Sequence, residues 1–449
     1  MIAASPPPAP AASATPDYVP GELLVGYGSG RERVLELPPE IGVTEAAGAL
    51  RANPWVAYAT PNYIARAATI PNDTGLFGAL GDWQRTQWNF LPCGSLCGQS
   101  AAPAAVLARG GINAPAAWSV LEQRGAAGAR GAVVAVLDTG VAFRTRKPGF
   151  LKSPDFSARQ FLRGFDFVSG GGSQKKGKER PIGPGLPLDR DGHGTHVAGT
   201  IGERTGNRFG LTGLAYQAKL MPVRVLDAQG LGTARDISRG IRFAAKNDAD
   251  VINMSFEFAL SVNSCSKIKS VCRAVRFANK QGALVVAAAG NSNGEPVAYP
   301  GGAPGVVAVG RTTKDACLAT ESRTGAGLDL VAPGGGLPLS PACGANDPNF
   351  DRGVPIFQLT FAGSNFRTFG YPASYEGTSM AAAHVSGVAA MVIASRVLGT
   401  NPAPAAVECQ LRGTARNQPT QLGETYDPRL FGAGLVDAAA AVSARAAGC

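Results

Sequence analysis

Four short aliphatic runs constrain the fold of this 449-residue chain more than any other feature of its sequence. Within each run, apolar and polar residues do not alternate. A run without such alternation suits a strand that is buried on both faces of a sheet. Helix-like stretches, such as Thr233 to Lys246 and Lys267 to Gln281, lie between them. This order predicts an α/β fold with a mainly parallel sheet flanked by helices. The runs are Ala132 to Leu137, Leu220 to Val225, Val251 to Met254 and Leu284 to Ala289.

Polar residues follow two of these runs, at the position where functional side chains of open parallel sheets collect. Asp138 follows the first run and enters a tight turn with Thr139 and Gly140. A structural turn or helix-cap aspartate is the alternative there. Asn291 follows the last run, where an amide donor can reach an acyl oxyanion, although asparagine is also common in turns for structural reasons.

The chain contains three histidines, and only one of them lies at a predicted surface. His193 is flanked by glycines at the start of a helix of small residues, which leaves its imidazole accessible. His196 lies about one turn later. His384 lies five residues after Ser379 on the same predicted helix and points away from its hydroxyl. We expect both of these histidines to pack in the core.

Ser379 begins a second helix of small residues. A helix N-terminus offers unpaired N–H groups and the positive end of a dipole, so a negative charge beside Ser379 would be stabilised there. A serine hydroxyl becomes a nucleophile only next to a base, and His193 is the remaining candidate. Asp138 would then fix the tautomer of His193 and stabilise its charged form.

Four segments together resemble the signature blocks of the subtilase family, in the family's order Asp, His, Asn, Ser. The resemblance extends from about Gln87 to Ala438. It implies a subtilisin-like three-layer fold and a secreted serine endopeptidase with Asp138, His193 and Ser379 as triad and Asn291 in the oxyanion hole. A catalytically inactive scaffold or binding protein of this fold is the alternative. The segments are Val136 to Gly140, His193 to Gly199, Ala288 to Asn291 and Gly377 to Ala381.

The composition and patterning of the chain predict four regions. Residues 1–17 are almost all Pro, Ala and Ser, which cannot bury enough apolar surface to order, and we expect a disordered leader. Residues 18–68 carry a strand, helix and strand pattern and resemble a shortened form of the family's inhibitory α+β prodomain. Residues 69–80 are expected to be a linker with the processing region. Residues 81–449 are expected to form the catalytic domain.

The family resemblance assigns substrate binding to two segments, and one of them departs from the family pattern. After Ser255 and Phe256 the family carries a glycine pair, whereas this chain has Glu257 and Phe258. These two side chains are expected to narrow the cleft or to place a carboxylate near the S1 and S4 subsites. A preference for basic side chains would follow. The other assigned residues are Ala288, Ala289 and Gly290.

The resemblance also implies a structural calcium site and no organic cofactor. Oxygen-rich coordination by six to eight ligands suits calcium. A loop that is closed by hydrogen bonds alone is the alternative. The expected ligands are the side chains of Gln87, Asp155 and Asn207 and the carbonyl groups of Phe209 and Leu211.

Eight cysteines are compatible with four disulfides and an oxidising compartment. Zinc is the competing use of close cysteine pairs, but the chain has few histidines and the pairs lie far apart in sequence. Other connectivities stay open. The pairing suggested by proximity in sequence is Cys93 with Cys97, Cys265 with Cys272, Cys317 with Cys343 and Cys409 with Cys449.

The net charge of +10 is spread over scattered residues and does not mark one face or helix, which argues against a nucleic-acid partner. The densest basic run, Lys175 to Arg180, is predicted to be an exposed loop. The apolar stretch from Met380 to Ser395 is shorter than a membrane span and contains His384, so it predicts a core helix and no membrane partner. The expected partners are protein and peptide substrates and the chain's own prodomain, with a monomeric enzyme.

Overall fold

The structure of the protein is a computed structural model that describes residues 18–29, 31–63, 71–93, 108–146, 149–168, 186–340, 343, 353–363, 365–417 and 426–449. The chain divides into two compact units, residues 1–69 with 123–125 and residues 70–122 with 126–449. The predicted leader over residues 1–17, the predicted basic loop from Lys175 to Arg180, Cys97 and part of the predicted linker lie outside the described residues.

The smaller unit contains a three-stranded antiparallel sheet and one helix. The predicted strand, helix and strand are present, and the third strand, Glu32–Glu36, was not predicted because all five of its residues are exposed and show no apolar alternation. The sheet order is β2-β1-β3 for the following elements. They are β1 (Tyr18–Tyr27), β2 (Glu32–Glu36), α1 (Val43–Arg51) and β3 (Val56–Tyr63).

A seven-stranded parallel sheet forms the centre of the larger unit. The four aliphatic runs of the sequence all form strands of this sheet. In chain order the strands are β4 (Val133–Asp138), β5 (Phe165–Asp166), β6 (Lys219–Arg224), β7 (Val251–Met254), β8 (Leu284–Ala288), β9 (Val306–Thr312) and β10 (Leu330–Pro333). Across the sheet the order is β10-β9-β8-β7-β4-β6-β5. A separate two-stranded ribbon consists of β11 (Thr360–Phe361) and β12 (Phe369–Gly370).

The remaining helices are mostly short, and two of them, α4 and α7, begin with predicted catalytic segments. They are α2 (Trp83–Thr86), α3 (Ala114–Gln123), α4 (His193–Gly202), α5 (Ala234–Lys246), α6 (Lys269–Lys280), α7 (Thr378–Ser395), α8 (Pro404–Gly413), α9 (Pro428–Phe431) and α10 (Ala438–Ser443).

Helices cover both faces of the parallel sheet, as the absence of polar alternation predicts. Successive side chains of a strand point to opposite faces. On β4, Val134 and Val136 join the core that contains α4 and α7, whereas Ala135 and Leu137 join the core that contains α5 and α6. The three-layer α/β fold predicted from the sequence is therefore confirmed.

Helix α7 crosses the core and carries Ser379 in its first turn. It has 18 residues and the hydropathy of a membrane span, so the expectation that this stretch is too short was wrong. Nine-tenths of it is buried inside the protein, which identifies it as a core helix. Small residues allow close packing, and a Cβ atom at Gly387 would lie 2.8 Å from Cδ2 of Leu214.

Three of the four expected cysteine pairs are present as disulfides. They join Cys265 to Cys272, Cys317 to Cys343 and Cys409 to Cys449. The fourth expected pair includes Cys97, which lies outside the described residues. The last of the three links α8 to the final residue of the chain, so it closes the longest loop among them.

Candidate active site

Three elements of the larger unit bring the predicted catalytic residues to one edge of the sheet. Asp138 is the last residue of β4, His193 is the first residue of α4 and Ser379 is the second residue of α7. Helices α4 and α7 pack against each other, and α4 also contacts β4. The site therefore lies at the carboxyl end of a parallel strand, where functional groups of such sheets are usually found.

Asp138 and His193 form a direct hydrogen bond. His193 Nδ1 lies 2.8 Å from Asp138 Oδ1, which also accepts the N–H of Thr139 at 2.7 Å. The Asp138 side chain is fully buried, whereas a quarter of the His193 side chain is exposed. This hydrogen bond fixes the proton of the neutral imidazole on Nδ1 and leaves Nε2 as the basic nitrogen.

The charges around His193 raise the pKa of its imidazole. Burial lowers this pKa, but the Asp138 carboxylate opposes burial through its charge and its hydrogen bond. Asp191 and Asp189 add to the effect, and the pKa of His193 reaches about 9. The site therefore stabilises the imidazolium that forms when His193 takes a proton.

Asp189 holds the loop that places His193 at the start of α4, a role that sequence reasoning missed. Its buried carboxylate accepts the N–H groups of Asp191 and Gly192 on Oδ1, both at 3.0 Å. The hydroxyl of Thr139 donates to Oδ1 at 2.9 Å, and the N–H and hydroxyl of Thr195 donate to Oδ2. The signal in the sequence was a carboxylate just before a predicted helix, which is typical of an N-cap.

Ser379 is nearly buried, and its hydroxyl donates to the carbonyl of Ser255 at 3.0 Å. The hydroxyl of Ser255 donates in return to the Ser379 carbonyl at 2.8 Å. The Asn253 amide donates to the hydroxyl of Ser255 at 2.9 Å. The start of α7 is thus tied to the residues after β7, and the Ser379 hydroxyl is directed to Ser255 rather than to His193 in this structure.

The amide of Asn291 is oriented by the start of α7. Its Oδ1 accepts the N–H of Thr378 at 2.8 Å and the Thr378 hydroxyl at 3.1 Å. Because the carbonyl oxygen is held in this way, Nδ2 is left as a donor, and no hydrogen bond from it is found among the described residues. Asn291 is exposed, so this donor is accessible to a ligand beside Ser379.

The other two histidines are buried. His384 bridges the Met380 carbonyl and the Asn89 amide, both at 2.8 Å. His196 lies 2.9 Å from the carbonyl of Ile356 and stacks on the ring of Tyr375. Burial lowers the pKa of His384 to about 4 and that of His196 to about 3, so both are neutral near pH 7.

The expected substrate-binding residues lie next to Ser379 and Asn291. Ala288, Ala289 and Gly290 are buried at the end of β8, directly before Asn291. Phe256 and Phe258 are partly buried and pack on the core that contains Ile252 and Met254 of β7. Only part of each ring is therefore available to a substrate. The carboxylate of Glu257 accepts the N–H of Asn291 at 2.9 Å, which places a negative charge beside the predicted oxyanion hole.

The expected calcium ligands lie around one loop after α4. Asp155 accepts the Asn207 amide at 2.6 Å and the N–H of Leu211 at 3.2 Å. The amide of Gln87 is paired with the backbone of Thr212 through both its oxygen and its nitrogen. Burial raises the pKa of Asp155 to about 7.

A neighbouring carboxylate was not predicted for this loop. Glu203 is fully buried, and neither carboxylate oxygen has a hydrogen bond of normal geometry within the described ranges. Burial, and then the charge of Asp155, raise the pKa of Glu203 well above its usual value. The charge of Asp73 adds to the pKa of both Glu203 and Asp155, so three carboxyl groups lie close together there. Within the described residues, however, no three His, Cys, Asp or Glu side chains converge closely enough to hold a metal ion by themselves. A cation there would need the Asn207 amide and backbone carbonyl groups as well.

Comparisons with known proteins agree with this architecture. The model of the Subtilase family matches residues 129–434. Subtilisin BL of Lederbergia lenta is 36% identical over 332 residues, which are 74% of this chain and 96% of the relative. An extracellular protease of Xanthomonas campestris is 32% identical over 421 residues, 88% of this chain and 60% of the relative.

A solved structure extends the likeness to the backbone. A protease from Pseudoalteromonas arctica PAMC 21717 superposes with a TM-score of 0.61 at 31% identity, and the match covers 84% of this chain and 99% of that one. The family match spans more than half of the chain and includes the ends of β4, α4 and α7 that carry the site. This chain belongs to the subtilase family and is a serine endopeptidase.

Proposed function

We propose that the protein hydrolyses peptide bonds through an acyl-enzyme intermediate, with Asp138, His193 and Ser379 as its catalytic triad. The observation that carries the proposal is the 2.8 Å hydrogen bond between Asp138 and His193 at the start of α4, which packs against α7 with Ser379 in its first turn. A buried carboxylate that holds an accessible imidazole in one tautomer is the arrangement that a serine nucleophile requires.

The proposal assigns one group to each step of this reaction. The Ser379 hydroxyl turns from the Ser255 carbonyl to Nε2 of His193, which takes the proton as the oxygen attacks the peptide carbonyl. The Nδ2 donor of Asn291 and the N–H of Ser379 stabilise the oxyanion, helped by the positive end of α7. His193 then donates the proton to the leaving amine, and water hydrolyses the acyl-enzyme.

Turnover of a chromogenic peptide amide by three matched variants tests this proposal. Ser379→Ala, His193→Ala and Asp138→Asn should each lose at least about 10³ in kcat, since the three groups act as one unit. Ser395→Ala, which removes a hydroxyl at the far end of α7, is the control and should keep its turnover. Full activity of Ser379→Ala, or no turnover by correctly processed wild-type protein, would contradict the proposal and favour an inactive scaffold.

We propose further that the protein is secreted as a proenzyme, with residues 18–68 as the inhibitory prodomain and cleavage within residues 69–80. The separate sheet and helix of the smaller unit support this proposal, as do the disulfides, which are typical of oxidising compartments. The Xanthomonas relative, whose name describes it as extracellular, matches 88% of the chain. Mass spectrometry should find a mature N-terminus within residues 69–80, and an active protein that keeps its first 80 residues covalently attached would overturn the cleavage.

We propose that calcium stabilises the loop after α4. Asp155, the Asn207 amide and the carbonyl groups of Phe209 and Leu211 would hold it, whereas the Gln87 amide is already engaged by Thr212. The concentration of buried carboxylates beside Asp155 supports the proposal, since a divalent cation would offset their charge. A chelator should lower the melting temperature and added calcium should restore it, while an unchanged melting temperature would favour a loop closed by hydrogen bonds.

A further inference from the structure

The carboxylate of Glu257 contacts the backbone of Asn291, and Glu257 lies close in sequence to the residue that accepts the Ser379 hydroxyl. Glu257 follows Ser255 by two residues, and the Ser255 carbonyl accepts the Ser379 hydroxyl at 3.0 Å. Its own Oε1 accepts the N–H of Asn291 at 2.9 Å. One side chain thus connects the backbone beside the nucleophile to the backbone of the oxyanion residue.

The second oxygen of this carboxylate lies over Gly290. A Cβ atom at residue 290 would be 2.5 Å from Oε2 of Glu257, and Gly290 has a φ of +114°. Only glycine suits both the conformation and the close approach. The residue before Asn291 therefore allows the carboxylate to lie against the wall that the resemblance assigns to substrate binding.

The charge of Glu257 has no cationic partner among the residues that the structure describes. Arg323, whose Cδ also lies near Gly290, donates to the carbonyl groups of Pro296 at 2.6 Å and Ser292 at 2.7 Å. A carboxylate offers about four acceptor positions, and only one hydrogen bond to Glu257 is found within the described ranges. Glu257 is half-buried, so acceptor positions stay available to a ligand.

We infer that Glu257 selects substrates with Lys or Arg on the amino side of the scissile bond, an inference that rests on the proposed function. A peptide carbonyl held between Ser379 and Nδ2 of Asn291 has the side chain of its own residue close to the backbone of Gly290 and Asn291. A long cationic side chain there meets the free oxygen lone pairs of Glu257. Arginine can donate two parallel hydrogen bonds to them.

Two substrates of equal shape and different charge test this inference. Fluorogenic peptides that differ only by arginine or citrulline before the scissile bond are compared by kcat/KM in the wild type, Glu257→Gln and Glu408→Gln. The glutamine keeps an oxygen for the N–H of Asn291 and removes only the charge. Glu408, which pairs with Arg412 on α8, is the charge-matched control.

We expect the wild type and Glu408→Gln to prefer arginine about tenfold or more, since a tenfold ratio equals 1.4 kcal/mol of differential binding. The ratio should fall to near one in Glu257→Gln. A wild-type ratio within twofold of one, or an unchanged ratio in Glu257→Gln, would overturn the inference.

The test separates failure of the inference from failure of the proposed function. The readout is the ratio of kcat/KM for two substrates of the same protein. A partly inactive variant therefore still gives a valid ratio. A protein that cleaves citrulline and arginine peptides equally is a peptidase without this selectivity. A protein that cleaves neither peptide, nor a peptide with leucine at that position, contradicts the proposed function itself.

Discussion

His193 lies among three carboxylates, and each of them favours the charged imidazolium. Asp138 is hydrogen-bonded to it, Asp189 organises the loop before it, and Asp191 accepts its backbone N–H at 3.0 Å. The same charges that would stabilise the imidazolium during catalysis hold the resting imidazole in its protonated form at low pH. With His193 as the proposed base, we expect its deprotonation to limit activity at neutral pH.

The pH dependence of kcat/KM should show this limit. The base must be neutral to act, so activity rises as pH passes the pKa of His193, and the midpoint of that rise should lie above 6.5 and towards 9. Asp191→Asn keeps an oxygen for the N–H of His193 and removes a charge. Because Asp191 is exposed, its loss should move the midpoint down by less than about one pH unit. An upward shift, or a wild-type midpoint below 6.5, would contradict the account of the base.

Asn291→Ala should lower kcat much more than it raises KM, because the proposed role of the Nδ2 donor is to stabilise charge that develops only in the transition state. Removing the oxyanion-hole asparagine of a subtilisin, a member of the same family, costs about 10² to 10³ in kcat, and we expect the same range here. Steady-state kinetics with one peptide substrate would measure it. A loss below tenfold would mean that another donor stabilises the oxyanion.

Single residues could be predicted from the sequence where they carry a known motif, and not where their role depends on distant partners. Asp138, His193 and Asn291 were singled out because they lie at strand ends or in glycine-flanked turns. The role of Asp189 was not predicted, because its five hydrogen-bond donors come from residues that only the turn after β4 and the start of α4 bring together. Glu203 was not predicted, because nothing in its local sequence shows that it is fully buried.

At the scale of elements, the site depends on how closely α4 approaches the end of β4. Gly194 is the second residue of α4, and a Cβ atom there would collide with the carbonyl oxygen of Gly140 and touch the Asp138 side chain. The absence of a side chain at one position thus sets the distance between the carboxylate and the imidazole.

Gly194→Ala should therefore separate Asp138 from His193. The carbonyl of Gly140 is backbone and cannot rotate away, so α4 must shift, at a cost of about 1 to 3 kcal/mol of stability. A displacement near 1 Å should lower kcat on the order of 10²-fold. Gly149→Ala is the control, because it adds the same methyl group where no described residue beyond the chain neighbours has an atom within 4 Å. Equal kcat values for the two variants would show that α4 does not set the geometry.

Strands could be predicted from the sequence where both of their faces are buried, and were missed where they are exposed or very short. The runs that became β4, β6, β7 and β8 are buried on both faces, so their apolar content alone identifies them. β2 is wholly exposed, and β5 has two residues, too few for any periodicity. The order of strands across the sheet depends on contacts between residues far apart in the chain, which no local pattern contains.

At the scale of the whole molecule, the disulfides close loops of very different length. The Cys409–Cys449 pair spans 40 residues and closes the C-terminal segment onto α8, whereas Cys265–Cys272 spans 7 residues at the start of α6. A longer loop loses more unfolded-state entropy when it is closed, so the first pair should stabilise the protein more.

Replacing both cysteines of each pair by serine tests this order. In the chain-entropy model, loss of the Cys409–Cys449 bond costs about 4 kcal/mol and loss of the Cys265–Cys272 bond about 2 kcal/mol. Thermal unfolding of both double variants, inhibited to prevent self-digestion, should give the larger fall in melting temperature for the first. The reverse order would mean that strain or residual structure, rather than loop length, decides the effect.

The most direct test of the account is to map the site of covalent labelling by a fluorophosphonate probe on purified, processed protein. We predict a single modified peptide, with the label on Ser379, and none in Ser379→Ala or His193→Ala. Labelling on another serine, or no labelling of the processed wild-type protein, would contradict the assignment of Ser379 as a nucleophile that His193 activates.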